Sequence, residues 1–189
     1  MNVFDFDKTI YDGDSTTHFC FFIARRHPRV ILDFIGALPS VLAYKTGKKT
    51  KTEMKERLYL AFTHVPNMES EVRLFWDSHM KNIEKWYLDI KKPDDVVISA
   101  SPEFLLEIPI KELGIGTLIA SRVDMKTGKY TGLNCYGEEK PKRFAERFGE
   151  GLETLSDNFY SDSYSDTPMA NIAKKAYIIK KHTPMDWEK

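Results

Sequence analysis

The chain has 189 residues, and its content of 42% hydrophobic and 30% charged residues is typical of an ordinary globular protein. Its 28 basic residues balance its 28 acidic ones, so the net charge supports neither a nucleic-acid partner nor binding to an anionic membrane. The two cysteines lie far apart without a metal-ligand spacing, which argues against a disulfide framework and favours a cytoplasmic location.

The first predicted element is a short buried strand over residues 3–6, and the carboxylates Asp5 and Asp7 lie at its end. These acidic residues precede any long apolar stretch, so no signal peptide is predicted. The pattern becomes helical from Asp14, and the hydroxyls of residues 15–17 are expected to cap the first helix. Three more helices are predicted over residues 30–44, 52–62 and 68–88, and Pro39 is expected to bend the first of these three.

Strands and helices alternate along the rest of the chain, after Pro93. Strands are predicted over residues 96–98, 118–120, 158–160 and 176–179, with helices over 104–113, 141–148 and 168–174 and a small flap over 127–132. This alternation predicts an α/β fold with a Rossmann-like parallel sheet of about five strands. We expect residues 1–13 and 93–189 to form the core domain and residues 14–92 to form an inserted all-helical cap.

Polar clusters follow the predicted strands in the motifs DFDKT (residues 5–9), VVISAS (96–101) and YSDSYSD (160–166), and the motif GEEK (137–140) opens the helix after the flap. The carboxyl ends of parallel strands meet at one edge of a sheet, so we expect these clusters to converge. Two carboxylates two residues apart repel each other. That cost is explained if one attacks phosphorus and the other carries a proton to the leaving group. The sequence therefore predicts a phosphate-transferring hydrolase.

The four motifs, in this order, resemble those of the haloacid dehalogenase-like superfamily, and within it the phosphoserine phosphatase-like branch with a helical cap after the first motif. The resemblance covers essentially the whole chain. It implies that Asp5 is a nucleophile that forms an aspartyl-phosphate. It also implies that Asp7 protonates the leaving oxygen and then deprotonates the hydrolytic water. An aspartate at position 7 indicates phosphatase or phosphotransferase chemistry rather than dehalogenation.

The same resemblance implies a Mg²⁺ site. Mg²⁺ prefers hard oxygen ligands, so carboxylate oxygens of Asp5 and Asp162 and the backbone carbonyl of Phe6 are the expected ligands. Asp166 is expected to act through water or through Lys140. The residues assigned to the metal site are Asp5, Phe6, Asp7, Asp162 and Asp166.

Phosphate binding is assigned to the hydroxyl of Ser99, to the backbone N–H groups of Ala100 and Ser101, and to Lys140. Lys140 would balance the charge of Asp5, of the phosphate and of the transition state. Ser101 is equally consistent with a simple helix N-cap.

The substrate contacts are expected to come from the cap. Asp14 stands where the phosphoserine phosphatases have a glutamate that meets the substrate amine, and Arg57 resembles their arginine that meets the carboxylate. Aspartate replaces glutamate in this chain, and the cap is longer than in those enzymes. Arg57 is equally consistent with an exposed arginine on a helix.

Three functions follow as hypotheses. The first is a Mg²⁺-dependent phosphomonoesterase acting on a small phosphorylated metabolite, with a phosphoserine-like compound as one candidate. The second is a phosphatase of a lipid headgroup such as phosphatidylglycerophosphate, because the apolar helix over residues 30–44 adjoins the basic residues 45–51 and suits a membrane surface. The third is a non-catalytic module that binds a phosphorylated ligand. The sequence determines neither the substrate nor the oligomeric state.

Overall fold

The computed structural model describes residues 1–149 and 157–188. Its strands form one six-stranded sheet in the order β3-β2-β1-β4-β5-β6, and every neighbouring pair is parallel except β5 and β6. The predicted α/β class and the largely parallel sheet are therefore confirmed. The strands are β1 (Val3–Phe4), β2 (Val96–Pro102), β3 (Thr117–Ser121), β4 (Asn158–Ser161), β5 (Lys175–Lys180) and β6 (Thr183–Asp186).

Five of the α-helices in the described residues lie between β1 and β2 in the chain, where the sequence predicts a helical insertion. These five are α1 (Ser15–Arg26), α2 (Val30–Lys45), α3 (Lys51–Tyr59), α4 (Met68–His79) and α5 (Lys85–Ile90). The others are α6 (Glu103–Glu112), α7 (Glu139–Phe148) and α8 (Thr167–Ala170). Short 3₁₀ turns cover Leu60–His64, Met80–Asn82 and Tyr164–Asp166. No helix among the described residues combines the length and the apolar character needed to cross a membrane.

The two faces of the sheet bury separate hydrophobic clusters, because successive side chains of a strand point to opposite faces. Phe4 and Val97 belong to the cluster that contains the apolar side chains of α1, α4 and α6. Val3 and Val96 belong to the second cluster, which contains Phe144 of α7 and Met169 of α8. The short strand β1 is thus covered on both faces, and its carboxyl end leads directly into the first acidic motif.

The prediction of a single long helix over residues 68–88 is wrong. Helix α4 ends at His79, and α5 begins only at Lys85. Between them Ile83 forms an antiparallel bridge with Tyr11, and the N–H of Glu84 donates to the carbonyl of Ile10 at 2.9 Å. Backbone pairing with the loop after β1 therefore replaces the helical hydrogen bonds that the apolar periodicity predicts.

The flap predicted over residues 127–132 is a small hairpin that packs on α3. The bridge Val123–Tyr130 closes it, and the N–H of Tyr130 donates to Oε1 of Glu56 at 3.0 Å. Gly128 adopts φ +68° at the tip, where a β-carbon would lie 2.7 Å from the backbone of Tyr59. Only glycine fits this contact. The hairpin thereby fixes the position of α3, whose lysine side chains reach the site described next.

Candidate active site

A cavity of about 860 Å³ opens where the carboxyl ends of β1, β2 and β4 meet the helices α1–α3. Five carboxylates line it: that of Asp14 and four that we call the carboxylate cluster, Asp5, Asp7, Asp162 and Asp166. Lys140 lines the same cavity, as do Ala100 and Ser101 after β2. The structure therefore brings all four sequence motifs to one place, as parallel strands require.

Asp5 and Lys140 form the centre of the site. The N–H of Asp5 donates to the carbonyl of Tyr160 at 2.9 Å, which continues the pairing of β1 with β4. Nζ of Lys140 lies 2.7 Å from Oδ1 of Asp5 and 2.6 Å from Oδ2 of Asp166. The hydroxyl of Ser161 donates to that same oxygen of Asp166 at 2.8 Å. The first turn of α7 thus delivers one cation, 1% exposed, between two buried carboxylates.

Burial governs the electrostatics of this pair. Burial raises the pKa of Asp5 to about 7, against the opposing effect of the charge on Lys140. Burial by itself lowers the pKa of Lys140, but attraction to Asp5 and Asp166 outweighs it and the pKa is raised. Burial also raises the pKa of Asp162. Three carboxylates in this cavity, Asp5, Asp7 and Asp162, therefore have raised pKa values, and a bound cation would favour their anionic forms. Their hard oxygen atoms are the ligands that Mg²⁺ prefers.

Asp7 is held in a fixed orientation by the start of α1 and by the loop after β2. The N–H of Ser15 donates to its Oδ1 at 2.6 Å, and the hydroxyl of Ser101 donates to its Oδ2 at 2.5 Å. Burial raises the pKa of Asp7, and the negative charge of Asp14 adds to this effect. A carboxyl with these properties can carry a proton nearer to neutral pH than an ordinary aspartate can.

The loop after β1 is organised around the backbone carbonyl of Phe6. This oxygen accepts hydrogen bonds from the N–H groups of Ile10 and Tyr11, both at 3.0 Å, and Phe6 is fully buried. The structure therefore gives no support to this carbonyl as a metal ligand. The buried hydroxyl of Thr9 accepts the N–H of Asp162 at 3.0 Å and so ties the first acidic motif to the last.

The structure separates Ser99 from Ser101. Ser99 is 1% exposed and does not line the cavity; its hydroxyl accepts the N–H of Ser101 at 3.1 Å. Its expected contact with phosphate therefore gains no support from this geometry. Ser101 lines the cavity and hydrogen-bonds Asp7. The N-cap residue of α6 is Pro102, so the interpretation of Ser101 as a helix cap is wrong.

Of the two predicted substrate contacts, the structure brings Asp14 to the cavity and not Arg57. Asp14 lines the cavity and is itself the N-cap of α1, where its side chain accepts the N–H of Thr17 at 2.7 Å. The expectation that hydroxyls of residues 15–17 cap this helix is wrong. Arg57 does not line the cavity, and its guanidinium lies so close to Gly36 of α2 that a β-carbon there would be 2.9 Å from it.

Lys55 of α3 is a cavity residue that sequence reasoning missed. Its Nζ donates to the carbonyl of Ala100 at 2.9 Å, and it lines the cavity beside the carboxylate cluster. Burial, together with the nearby charge of Lys51, lowers the pKa of Lys55 to about 8. Residues two positions apart on an α-helix point about 160° away from each other, so Lys55 and Arg57 cannot share a face of α3. The rotation of α3 about its axis places Lys55 rather than Arg57 at the cavity, and no sequence motif specifies that rotation.

A second group of possible metal ligands lies outside this cavity. One ligand atom each of Asp12, Glu84 and His182 lie within 4.8 Å of one another. Asp12 and His182 are exposed, and Nδ1 of His182 lies 2.5 Å from Oε1 of Glu84. This hydrogen bond raises the pKa of His182 and accounts for the proximity of the two side chains without an ion.

Known proteins share this architecture. A protein of unknown function from Bordetella pertussis Tohama I superposes with a TM-score of 0.79 at 19% identity, covering 94% of this chain and 88% of its own. A substrate-bound phosphoserine phosphatase superposes with a TM-score of 0.59 at 16% identity, covering 92% and 82% respectively. At these identities the likeness shows the fold alone.

Sequence comparison adds information on the family of the chain. A phosphoserine phosphatase of Mycobacterium tuberculosis is 27% identical over 93% of this chain, and the match covers 63% of the relative. The chain thus spans less than two thirds of the length of this curated relative. The sequence profile of the haloacid dehalogenase-like hydrolases matches residues 3–171. Together with the six-stranded sheet and the motifs at its edge, this match shows that the chain belongs to the haloacid dehalogenase-like hydrolase family.

Proposed function

We propose that this protein is a Mg²⁺-dependent phosphomonoesterase that works through an aspartyl-phosphate on Asp5. One observation carries the proposal: the carboxylate of Asp5 lies 2.7 Å from the buried ammonium of Lys140, inside a cavity that also holds Asp7. Lys140 favours the anion of Asp5, and Asp7 has the raised pKa of a proton carrier. The phosphatase name of the mycobacterial relative supports the same chemistry.

In the first step, a carboxylate oxygen of Asp5 attacks phosphorus, and the bond from phosphorus to the ester oxygen breaks. Lys140 contacts Oδ1, so we assign the attack to Oδ2. Asp7 gives its proton to the departing oxygen. In the second step, Asp7 takes a proton from a water molecule whose oxygen attacks phosphorus. The bond to Asp5 breaks, phosphate leaves, and both carboxyl groups return to their starting states.

Carboxylate oxygens of Asp5 and Asp162 would hold the Mg²⁺, with Asp7 beside them and Asp166 acting through Lys140. The ion would supply positive charge beside the phosphate oxygens. Lys140 and the N–H of Ala100 would bind the remaining phosphate oxygens, whereas the N–H of Ser101 already donates to the hydroxyl of Ser99. We also propose that residues 1–13 and 93–189 act as the catalytic core and residues 14–92 as a cap. The place of α1–α5 between β1 and β2 supports this division.

Release of phosphate from p-nitrophenyl phosphate tests the proposal. Turnover should require Mg²⁺ and should be abolished by EDTA. Asp12 offers a matched control, because it is an exposed aspartate that does not line the cavity. Asp12→Asn should keep the wild-type rate, whereas Asp5→Asn should lose it. Equal rates for wild type and Asp5→Asn, or no turnover of any phosphomonoester by the wild type, would overturn the assignment and leave a non-catalytic phosphate-binding module.

A further inference from the structure

Part of the wall of the cavity is apolar. Three helices of the cap build it: α1, α2 and α3. We call this wall the apolar groove, and its residues are Phe21, Ile31, Phe34, Ile35, Leu38 and Met54. The groove and the carboxylate cluster belong to one continuous cavity, so a single ligand can touch both.

The groove is exposed in a way that a folded protein normally avoids. The relative exposure of Phe21 is 64%, of Ile35 55% and of Leu38 61%. Leu42 continues the same stripe along α2, since residues 31, 35, 38 and 42 recur at helical spacing. Large apolar side chains grouped beside a functional site indicate that a ligand covers them.

The size and chemistry of the cavity disfavour a small polar substrate. A volume of about 860 Å³ falls in the upper part of the roughly 300–1,000 Å³ range of pockets that enclose drug-sized ligands. A phosphorylated amino acid would fill only the end near Asp5. Arg57, the expected partner of a substrate carboxylate, lies outside the cavity. The groove would remain in contact with water.

Two lysines line the same cavity as the groove and the carboxylate cluster. Lys55 is oriented by its hydrogen bond to the carbonyl of Ala100. Nζ of Lys51 lies 3.6 Å from the ring centroid of Tyr136, and both of these residues line the cavity. Cations in this cavity complement an anionic head, and its apolar side chains complement a hydrocarbon tail.

We propose that the substrate is an amphiphilic phosphomonoester, with its phosphate at Asp5 and its hydrocarbon chain along the apolar groove. This proposal rests on the phosphatase function proposed above and names the substrate class of that site. It selects the amphiphile over the phosphoserine-like candidate, because the groove gives a hydrocarbon chain a partner and gives a zwitterion none.

Binding of alkylphosphonates tests the groove without any need for turnover. Titration calorimetry on the full chain with Mg²⁺ should compare methyl-, butyl- and octylphosphonate. Full burial of a methylene improves binding by about fourfold, and half of that burial improves it by about twofold. With the seven additional methylenes half buried, the octyl compound should bind roughly a hundredfold more tightly than the methyl compound. Dissociation constants that agree within about twofold across the series would overturn the proposal, since a wet groove gains nothing from chain length.

A matched pair of variants tests where the alkyl chain of the ligand binds on the protein. Leu38 and Leu133 have similar exposures, 61% and 65%, but only Leu38 lines the cavity. Leu38→Gln should reduce the ratio of the methyl to the octyl dissociation constant by about tenfold or more, because the glutamine amide is costly to cover with hydrocarbon. Leu133→Gln should leave the ratio unchanged. The same ratio of the two dissociation constants in both variants would show that the alkyl chain does not lie in the groove.

Measurements of turnover then test the proposed substrate class separately from the proposed phosphatase reaction. Rates should be measured on methyl phosphate, on monomeric octyl phosphate and on phosphatidic acid in phosphatidylcholine vesicles. Faster turnover of either amphiphile than of methyl phosphate supports the proposal, and the better of the two identifies a free or a membrane source. Equal turnover of all three overturns the substrate class but leaves the phosphatase intact. Tight, chain-dependent binding without any turnover refutes the phosphatase and retains the ligand class.

Discussion

The two ends of the cavity are built in opposite ways. At the carboxylate cluster, Asp5, Asp166 and Lys140 are buried and joined by hydrogen bonds of 2.6–2.7 Å. At the apolar groove, Ile35 and Leu38 are more than half exposed. These hydrogen bonds hold the charged groups of the polar end in place before a substrate arrives, which suits chemistry that depends on preorganised charge. The apolar end is complete only when a hydrocarbon covers it, which suits selection among substrates.

The largest effect on the carboxylate cluster alone is expected from removal of the proposed nucleophile. Asp5→Asn should lower kcat by roughly a thousandfold or more, because the covalent route disappears while the groove stays intact. Steady-state kinetics on octyl phosphate gives the rate, and calorimetry with octylphosphonate gives the binding. A large loss of kcat with little change in chain-length preference would show that the two ends are independent. A rate near that of the wild type would mean that another group attacks phosphorus.

Asp7→Asn should lower kcat by ~10²–10⁴, the usual contribution of a general acid–base residue. The loss should be larger for an alkyl phosphate than for p-nitrophenyl phosphate, whose leaving group needs no proton. Single-turnover rates on both substrates measure this difference. An equal loss on both would indicate that Asp7 acts in orientation or in metal binding rather than in proton transfer.

Lys140→Met should lower kcat/KM by about 10²–10³, as the loss of one strong electrostatic donor does. It also leaves Asp5 and Asp166 without their shared cation, and breaking such a buried pair costs about 3–5 kcal/mol. Urea denaturation with and without Mg²⁺ measures that cost, and bound Mg²⁺ should recover part of it. The exposed Lys142 on the same helix provides the control. Lys142→Met should change neither property, and a comparable loss there would contradict the assignment of Lys140.

Lys55 joins the two ends, and its lowered pKa predicts a pH effect. A lysine with a pKa of about 8 is charged below that pH and neutral above it. Therefore kcat/KM for an anionic substrate should fall as the pH rises through about 8. Lys55→Arg should remove this alkaline fall, since arginine keeps its charge, whereas Lys55→Gln should lose about tenfold at pH 7. An unchanged alkaline fall in Lys55→Arg would assign it to another group.

Arg57→Gln should have the smallest effect, within about twofold in kcat/KM, because its guanidinium lies against Gly36 rather than in the cavity. Together with Lys55→Gln it compares two cations on the same helix at different phases. A loss larger than that of Lys55→Gln would restore the sequence-based expectation that Arg57 contacts the substrate.

The parts of the fold that follow from local pattern were predictable from the sequence. The apolar runs of β2 and β3 and their alternation with helices indicated a parallel sheet, and the sheet is there. The antiparallel edge strand β6 was not predicted. Its turn uses Lys181 and His182 with φ of +49° and +63°, where a primed turn usually has asparagine or glycine. The break after α4 was missed too, because a distant backbone pairing with Ile83 causes it.

The same division holds for the site. The sequence by itself determined which chemical groups are present and which of them follow a strand, since strand direction dictates that Asp5 and Asp162 converge. Only the tertiary structure decided how those groups are used. In the folded chain the carbonyl of Phe6 accepts hydrogen bonds from its own loop, and Ser99 is buried. Helix α3 is oriented so that Lys55 rather than Arg57 reaches the cavity. These outcomes depend on helix phase and on long-range packing, and residue spacing along the chain carries no information about either.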